Sequence, residues 1–245
     1  MTVVMPQAAE PDAEALDIDL KVDRKRPMTD QVYEALRAAI IEVRLLPGTS
    51  ISENRICRHF GVSRTPVRLA IARLAEEGLI DVYPQQGSFV SPIRLGSIHD
   101  SHFVRKSLEL SILAMAAKLW SPAFSRESRE IIACQAAAIS AQNTTADAER
   151  FLREDERFHY AFARFARKEG VWPTVLTAKA KLGRFFRVFA RPERLHRVVE
   201  EHTAIIDALD AGDPALAAER LDYHLDRVFF MIDQLPDQYR RYLAD

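Results

Sequence analysis

The sequence predicts a mainly α-helical protein of two domains, an N-terminal winged helix-turn-helix followed by an all-helical bundle of about six helices. Three observations support this fold class. A helical pattern at residues 64–74 follows a shorter helical segment that ends at a glycine. Two short strand patterns around another glycine come directly after it, and the periodic segments beyond residue 97 all have helical spacing. With 245 residues, the chain is long enough for both domains.

The helix that follows Ser63 is the most informative element of the first domain. Ser63 is expected to cap it, and Pro66 fits its first turn, where a backbone N–H has no partner to lose. An apolar stripe at helical spacing consists of Val67, Ala70, Ile71 and Leu74. Arg64 and Arg68 stand four residues apart beside this stripe. Two guanidinium groups at the start of such a helix can reach guanine edges and phosphates in a DNA major groove.

This pattern alone also fits a surface helix with solvated arginines, and its neighbours favour DNA binding. Upstream, Ser52 begins a short helix that Gly61 ends, so the two helices form a helix-turn-helix. Downstream, residues 79–83 and 88–90 have the pattern of two strands joined by a turn that ends at Gly87, which is typical of a wing. Because glycine has no Cβ, Gly87 can approach a phosphate or enter a minor groove.

The distribution of charge agrees with a DNA-binding N-terminal domain. The net charge of the chain is −1, but residues 21–95 hold 12 Lys and Arg against 8 Asp and Glu. Residues 96–245 are balanced at 22 against 22. Positive charge therefore lies where phosphate contacts are needed. Residues 1–20 carry five acidic and no basic side chains, and we expect a disordered tail there.

Composition also bears on the compartment of the protein. No apolar run approaches the ~18 residues needed to span a bilayer, and the N-terminus lacks the cationic start and apolar core of a signal peptide. Cys57 and Cys134 are far apart and have no CxxC spacing, so we expect reduced thiols. These features predict a cytoplasmic protein with no membrane segment.

The predicted winged-helix domain covers residues 21–92, and a linker at 93–97 leads to a helical domain at 98–236. A C-terminal tail is expected at 237–245. The predicted helices lie near residues 98–120, 126–143, 146–168, 171–190, 193–211 and 214–234. The first of them is apolar nearly all round, which is typical of a helix inside a bundle.

Four polar side chains fall on apolar helix faces of this bundle. Asp155 and His159 lie four residues apart within a phenylalanine stripe of the third helix, and His202 and His224 occupy apolar faces of the fifth and sixth. A single inward histidine is usually a hydrogen-bonded core residue, but an ionised aspartate in a core must be paired or bind a metal. The four together predict a divalent metal site. Such ligands suit zinc, nickel, manganese or iron, and the sequence does not select among them.

Arg105 lies on a face of the first bundle helix that should be buried, where an unpaired guanidinium is costly. Two interpretations stay open. Arg105 forms a structural ion pair with an acid on a neighbouring helix, or it is a fork that holds the carboxylate of a small effector. Lys181 and Arg184 on the fourth helix are weaker candidates for the same effector pocket.

Residues 28–92 resemble the N-terminal domain of the GntR superfamily of bacterial transcription regulators. The similar segments are Leu46-Pro47-Gly48, Gly61 to Arg68, Glu77 to Ile80 and Gly87 to Val90. The resemblance implies base or phosphate contacts for Arg64 and Arg68. It also implies backbone contacts for Ser63 and Thr65 and a wing contact for Gly87.

Residues 98–236 resemble the all-helical FCD ligand-binding domain of FadR-type GntR regulators, and six helices are typical of the VanR-like subgroup. The similar elements are Arg105, Asp155-x3-His159, Glu201-His202, Ala211-Gly212-Asp213 and His224-Leu225. In metal-containing members, the aspartate and three histidines at these places hold one divalent cation. The resemblance implies this role for Asp155, His159, His202 and His224, and it favours the effector interpretation of Arg105.

These features together predict a ligand-responsive transcription regulator that is not an enzyme, with a repressor as the expected type. Such a protein is a homodimer on a short palindromic operator in double-stranded DNA, because two-fold protein symmetry requires two-fold DNA symmetry. A small organic acid between the metal and Arg105 would change the spacing of the two DNA-reading heads. Leu69 and the pair Gln85-Gln86 depart from the residues common in the family, which leaves the operator sequence open.

Three alternatives stay open. An Asp/His3 site can activate water in a metal-dependent hydrolase, although no general base stands beside the four ligands and a DNA-binding module has no use in most hydrolases. The metal itself is the signal in a metal-sensing regulator, against which a buried Arg105 argues. In the third alternative, the metal is purely structural and the effector is larger and apolar.

Overall fold

A computed structural model of the protein describes residues 18, 22–23, 25–139, 145–189, 192–235 and 237–244. They divide into two compact units. The first unit comprises the described parts of residues 1–97, 183–188 and 236–245, and the second those of residues 98–182 and 189–235. Of the predicted tail at residues 1–20, only Ile18 is described, and it is buried in the core of the first unit. The rest of that tail lies outside the described residues.

The first unit has the predicted winged helix-turn-helix fold. Its elements are α1 (Met28–Ile41), β1 (Ser50–Ile51), α2 (Glu53–Phe60), α3 (Arg64–Glu76), β2 (Ile80–Tyr83) and β3 (Gly87–Val90). The strands form an antiparallel sheet in the order β1-β3-β2. The predicted stripe of α3 is buried, and it packs with Leu36, Ile40 and Ile56 in one core.

The turn between α2 and α3 confirms one predicted cap and corrects another. The Ser52 hydroxyl accepts a hydrogen bond from the backbone N–H of Arg55, and Gly61 ends α2 with φ +64°, where glycine is favoured. Ser63 lies at the N-cap position of α3, but its side chain makes no capping hydrogen bond. A capping oxygen usually binds an N–H two or three residues into the helix, and the third residue here is Pro66, which has none.

The wing forms as predicted and includes one strand that the sequence pattern did not indicate. Gln86 donates its backbone N–H to Tyr83 O at 3.1 Å, and Gly87 has φ +118° at the start of β3. The additional strand is β1, which pairs with β3 so that Ser50 lies opposite Phe89. A strand of two residues is too short to show alternation, so periodicity did not detect it.

The second unit contains six long helices that correspond to the six predicted ones. They are α4 (Leu95–Ala117), α5 (Pro122–Ala136), α6 (Thr145–Phe165), α7 (Trp172–Phe189), α8 (Pro192–Asp210) and α9 (Pro214–Asp233), and the last turns of α7 belong to the first unit. Asp213 caps α9 by accepting from Leu216 N at 2.9 Å, with Pro214 in the first turn. No helix in the described ranges is long and apolar enough to cross a membrane.

One face of α4 differs from the prediction that this helix is enclosed. Ile98, Ile112, Leu113 and Ala116 are buried, but Phe103 is 71% exposed and Met115 is 39% exposed. The described residues therefore leave the apolar side of α4 that carries Phe103 and Met115 largely uncovered.

The predicted linker at residues 93–97 and the predicted tail at 237–245 have regular structure. β4 (Ile93–Arg94) pairs in parallel with β5 (Leu243–Ala244), and Ile93 N donates to Tyr242 O at 2.8 Å. A short helix, α10 (Asp237–Arg240), precedes β5. The two strands come from distant parts of the sequence and have two residues each, so local patterns indicated only irregular chain.

Candidate functional site

Helices α6, α8 and α9 bring the four predicted metal ligands together inside the second unit. One ligand atom each from Asp155, His159, His202 and His224 lies within 4.8 Å of the others. His202 Nε2 is 3.4 Å from His224 Nε2 and 3.8 Å from Asp155 Oδ1. The three histidines are at most 7% exposed, so the cluster lies in the interior of the bundle.

The phenylalanine stripe of α6 explains why these groups point inward. Phe151, Phe158, Phe162 and Phe165 are all buried, and Asp155 and His159 occupy the same helical face. Phe158 stacks on the His202 ring with 3.9 Å between ring centroids and 12° between planes. The apolar contacts that form the core therefore also orient the ligands.

Each of the three imidazoles has an oxygen close to its Nδ1 atom. The pairs are His159 with Glu109 Oε2 at 2.6 Å, His224 with Glu201 Oε2 at 2.7 Å, and His202 with Gln135 Oε1 at 2.9 Å. An ionised carboxylate has no hydrogen to donate, so Nδ1 carries the hydrogen in His159 and His224. The Nε2 atoms then lie within the cluster, where that of His159 is also 3.2 Å from the donor Arg105 Nη2.

Burial keeps two of these imidazoles uncharged at neutral pH. It lowers the pKa of His159 to about 4, although the nearby Glu109 acts in the opposite direction. Burial, together with the repulsion that a protonated His202 would meet from neighbouring imidazoles, holds the pKa of His202 well below its usual value. Uncharged imidazoles have the free lone pairs that metal ligation requires.

The geometry of the four donors fits a divalent cation. Facing Nε2 lone pairs on His202 and His224 repel each other unless a proton or a cation lies between them. Ligands bound about 2 Å from one ion lie about 3–4 Å from each other. Three pairs of these atoms have such separations, from 3.4 to 3.9 Å, and all four atoms lie within 4.8 Å of one another. The donor set of three nitrogens and one carboxylate oxygen excludes none of the four predicted metals.

Lys179 on α7 holds the other oxygen of the aspartate. Its Nζ donates to Asp155 Oδ2 at 2.9 Å, which leaves Oδ1 facing the histidines. Burial alone would raise the pKa of Asp155, but the charge of Lys179 and the neighbouring imidazoles hold it well below its usual value. The sequence interpretation missed Lys179, although its spacing to buried Val175 and Leu182 places it on the inward face of α7.

Arg105 is paired, but with a different partner from the predicted one. Its Nε donates to Glu109 Oε1 at 2.6 Å, so the acid lies four residues along the same helix and not on a neighbouring helix. Its Nη2 is 3.2 Å from His159 Nε2. Burial alone would raise the pKa of Glu109, but Arg105 and His159 hold it below its usual range. Both side chains are almost fully buried.

The two weaker effector candidates on α7 have different outcomes. Arg184 is buried in the first unit, where its Nη2 donates to the backbone oxygen of Ser91 at 2.6 Å, and burial lowers its pKa to about 10. This bond commits the guanidinium to the segment after β3, so we withdraw Arg184 as an effector ligand. The side chain of Lys181 lies outside the described residues.

The predicted DNA contacts are all exposed in the first unit. Ser63, Arg64, Thr65 and Arg68 lie at the start of α3, and Gly87 lies at the turn of the wing. Arg68 Nε is 3.6 Å from Glu53 Oε1, and the Arg68 side chain is 71% exposed. A long ion pair at this exposure is weak, so it leaves the arginine available for a phosphate or a base.

Comparison with known protein families gives a match in each of the two units. Residues 28–90 match the family model described as "Bacterial regulatory proteins, gntR family". Residues 100–227 match the family model described as "FCD domain". The chain belongs to the GntR family of bacterial regulators and carries an FCD domain. Members of this family bind DNA through the helix-turn-helix, and this GntR-family regulator has that domain at its N-terminus.

Similar proteins align with most of the length of this GntR-family regulator. An uncharacterized HTH-type transcriptional regulator in an unstable DNA locus of Streptomyces ambofaciens is 36% identical over 206 residues, 83% of this chain and 84% of the relative. The HTH-type transcriptional repressor RspR of Escherichia coli is 28% identical over 90% of this chain and 95% of its own length. A GntR-type regulator structure from Rhodococcus sp. RHA1 has a TM-score of 0.65 and 25% identity, with 85% of this chain and 99% of that one covered.

In metal-free protein, the free energy of unfolding should decrease as the pH falls from about 6.5 to about 4. The pKa of His159 is about 4 in the folded protein, and the usual histidine value is 6.5. The unfolded chain therefore binds more protons in this window, which favours unfolding at lower pH. Urea unfolding at several pH values measures this slope. His159→Gln should have a shallower slope, and equal slopes in the two proteins would contradict the assignment.

Proposed function

We propose that this regulator is a homodimeric, cytoplasmic repressor whose FCD domain binds one divalent metal ion per subunit and a small organic acid. The observation that carries the metal assignment is the arrangement of the three imidazoles. Carboxylate or amide oxygens lie beside their Nδ1 atoms, and their Nε2 atoms converge with Asp155 Oδ1. Outer oxygens that orient ligating histidines are typical of protein metal sites.

The ligand set also supports binding of an effector at this site. When bound, the ion would offer its remaining coordination positions to an oxygen of the acid. Arg105 lies beside His159, and Nε and Nη2 account for its contacts with Glu109 and His159. No described residue accepts a hydrogen bond from Nη1 of Arg105. This Nη1 group supports a role for Arg105 as a second anchor for a carboxylate.

Two observations support a dimeric repressor. The exposed face of α4 carries Phe103 and Met115 with the small residues Ser107 and Ser111 between them, which suits packing against a second copy of the helix. A dimer would present two α3 helices to the half-sites of a palindrome. The E. coli relative at 28% identity is named a transcriptional repressor, which supports this role over activation.

Arg64→Ala and Arg68→Ala should each weaken binding to the operator by ~1–3 kcal/mol, the usual range for a base contact. Both residues are exposed, so neither change should disturb the core. Fluorescence anisotropy with operator DNA at fixed salt measures the effect, and Arg153→Ala on α6 is an exposed control. If both variants bound like the unmodified protein, α3 would not be the helix in the groove.

His202→Ala and His224→Ala should each lose most of the bound metal, because each removes a donor from a site of four. The unmodified protein should hold about one ion per subunit. Elemental analysis after dialysis measures both, and His196→Ala, an exposed histidine on α8, is the matched control. Protein that stays metal-free after dialysis against zinc, nickel and manganese would show that the cluster is only a buried polar network.

Arg105→Ala should lower the free energy of unfolding by ~3–5 kcal/mol, because Glu109 would keep a buried charge without its guanidinium partner. The double variant Arg105→Gln with Glu109→Gln removes both charges and should regain most of that stability. It should still bind operator but no longer respond to the cognate acid. Thermal unfolding and an acid-dependent shift of its midpoint measure the two effects.

The structural role and the effector-binding role of Arg105 are each contradicted by a different experimental result. An unchanged unfolding midpoint in Arg105→Ala would rule out the structural ion pair. A double variant that still responds to the acid would rule out Arg105 as an effector ligand. A response to metal without any acid would instead support the metal-sensing alternative.

A further inference from the structure

An open groove of about 350 Å³ lies between α8 and α9 in the second unit. It is lined by Arg197, Glu200, Glu201, Arg220, Tyr223 and Arg227. The first three recur at helical spacing on α8 and the last three on α9, so each helix contributes one continuous face. The four metal-site residues do not line the groove, but Glu201 of the lining accepts a hydrogen bond from one of them, His224.

The groove has more positive charge than its own acids neutralise. Arg197 and Arg220 are exposed, and among the described residues neither forms an ion pair. Glu201 is already neutralised by Arg194, whose guanidinium makes two bonds to it at 2.5 and 2.8 Å. Glu200 is then the acid left to face three arginines.

Arg227 is held in place without a complete set of hydrogen bonds. Its guanidinium lies over the Phe230 ring at 4.1 Å and near the Tyr223 ring at 5.4 Å. Its Nε is buried, and no described residue accepts a hydrogen bond from it, with Glu201 Oε1 4.0 Å away. A buried donor without an acceptor is destabilising. The aromatic contacts thus hold the guanidinium beside the groove, with an N–H group that can still donate to a ligand.

We propose that this groove binds a small dianion, a phosphate ester or a dicarboxylate, through Arg197, Arg220 and Arg227. Guanidinium groups bind both kinds of anion by the same paired N–H to oxygen contacts. Three arginines in one groove exceed what one carboxylate requires, which favours a ligand with two negative charges. This anion site is separate from the effector position beside Arg105.

The groove is also connected to the metal cluster. Glu201 Oε2 accepts from His224 Nδ1 at 2.7 Å, and Arg194 and Arg227 are the cations nearest to that carboxylate. An anion that draws Arg227 toward the groove leaves Glu201 less neutralised and therefore a stronger acceptor. A stronger acceptor makes the opposite nitrogen of His224 a better metal ligand. Anion and metal should therefore strengthen each other's binding, and this second step rests on the proposed metal site.

The anion site is tested on metal-free protein by calorimetric titration with inorganic phosphate and with succinate, at constant ionic strength. Arg197→Ala and Arg220→Ala should each weaken binding by about tenfold, the usual effect of one charge-assisted contact. Arg153→Ala, an exposed arginine on α6, is the control and should bind normally. Preference for phosphate supports the ester, and preference for succinate supports the dicarboxylate.

Three results would overturn this proposal. They are no binding of either anion, an equal loss in Arg153→Ala, and a change of oligomeric state in the groove variants, which would assign the surface to an interface. Sedimentation of the same variants detects the last. Binding of phosphate without any binding of zinc, nickel or manganese would support the groove and reject the proposed metal function. Metal binding without phosphate binding would support the metal site and reject the groove.

The link between the sites is tested by nickel affinity with and without inorganic phosphate. The unmodified protein should bind nickel more tightly in phosphate. Arg220→Ala should keep the nickel affinity measured without phosphate and lose the enhancement, because among the described residues no hydrogen bond or ion pair joins Arg220 to a metal-site residue. Glu201→Gln should also lose the enhancement. Equal enhancement in all three proteins would overturn the coupling.

Discussion

The second unit is organised by the need to neutralise the carboxylate of Asp155, which lies among three buried imidazoles. An ionised Asp155 in a helical core is costly unless opposite charge and hydrogen bonds surround it. Each of the six long helices contributes at least one polar group to this task. The groups are Arg105 and Glu109 on α4, Gln135 on α5, Asp155 and His159 on α6, Lys179 on α7, Glu201 and His202 on α8, and His224 on α9. The network therefore specifies how all six helices pack, because a shift in any of them strands a buried polar group.

The helical faces of this network could be predicted from the sequence, and most of its pairings could not. Periodicity is a local property, so the position of Asp155 and His159 within a buried phenylalanine stripe was visible in the residues alone. The partner of Arg105 was not, because acids on several helices fit the same spacing argument and only the packed side chains select Glu109. Lys179 lies between these cases, since its inward position follows from spacing but its bond to Asp155 does not.

The first unit shows the same division between local and distant information. The absent cap at Ser63 has a local cause in the sequence, because Pro66 lacks the N–H that a capping oxygen would bind. The pairing of β4 with β5 has no local cause, since it joins residues near the middle of the chain to residues at its end. The exposed Phe103 on α4 is a third kind of difference. Apolar periodicity predicts that a helix face is buried, but it does not indicate whether the same chain or a second protein covers that face.

The state of the neighbouring carboxylates favours binding over catalysis at this site. Hydrolysis by metal-activated water needs a base that is free to accept a proton near the ligands. Glu109 is committed to Arg105 and His159, and Glu201 is committed to Arg194 and His224. The pKa values of both acids are held below their usual range, Glu109 mainly by the charge of Arg105 and Glu201 mainly by its hydrogen bonds from His224 and Arg194, in each case against the raising effect of burial. A carboxylate with a lowered pKa is a weak base. Within the described part of the chain, the acids beside the cluster therefore orient ligands and balance charge, which is the chemistry of a binding site.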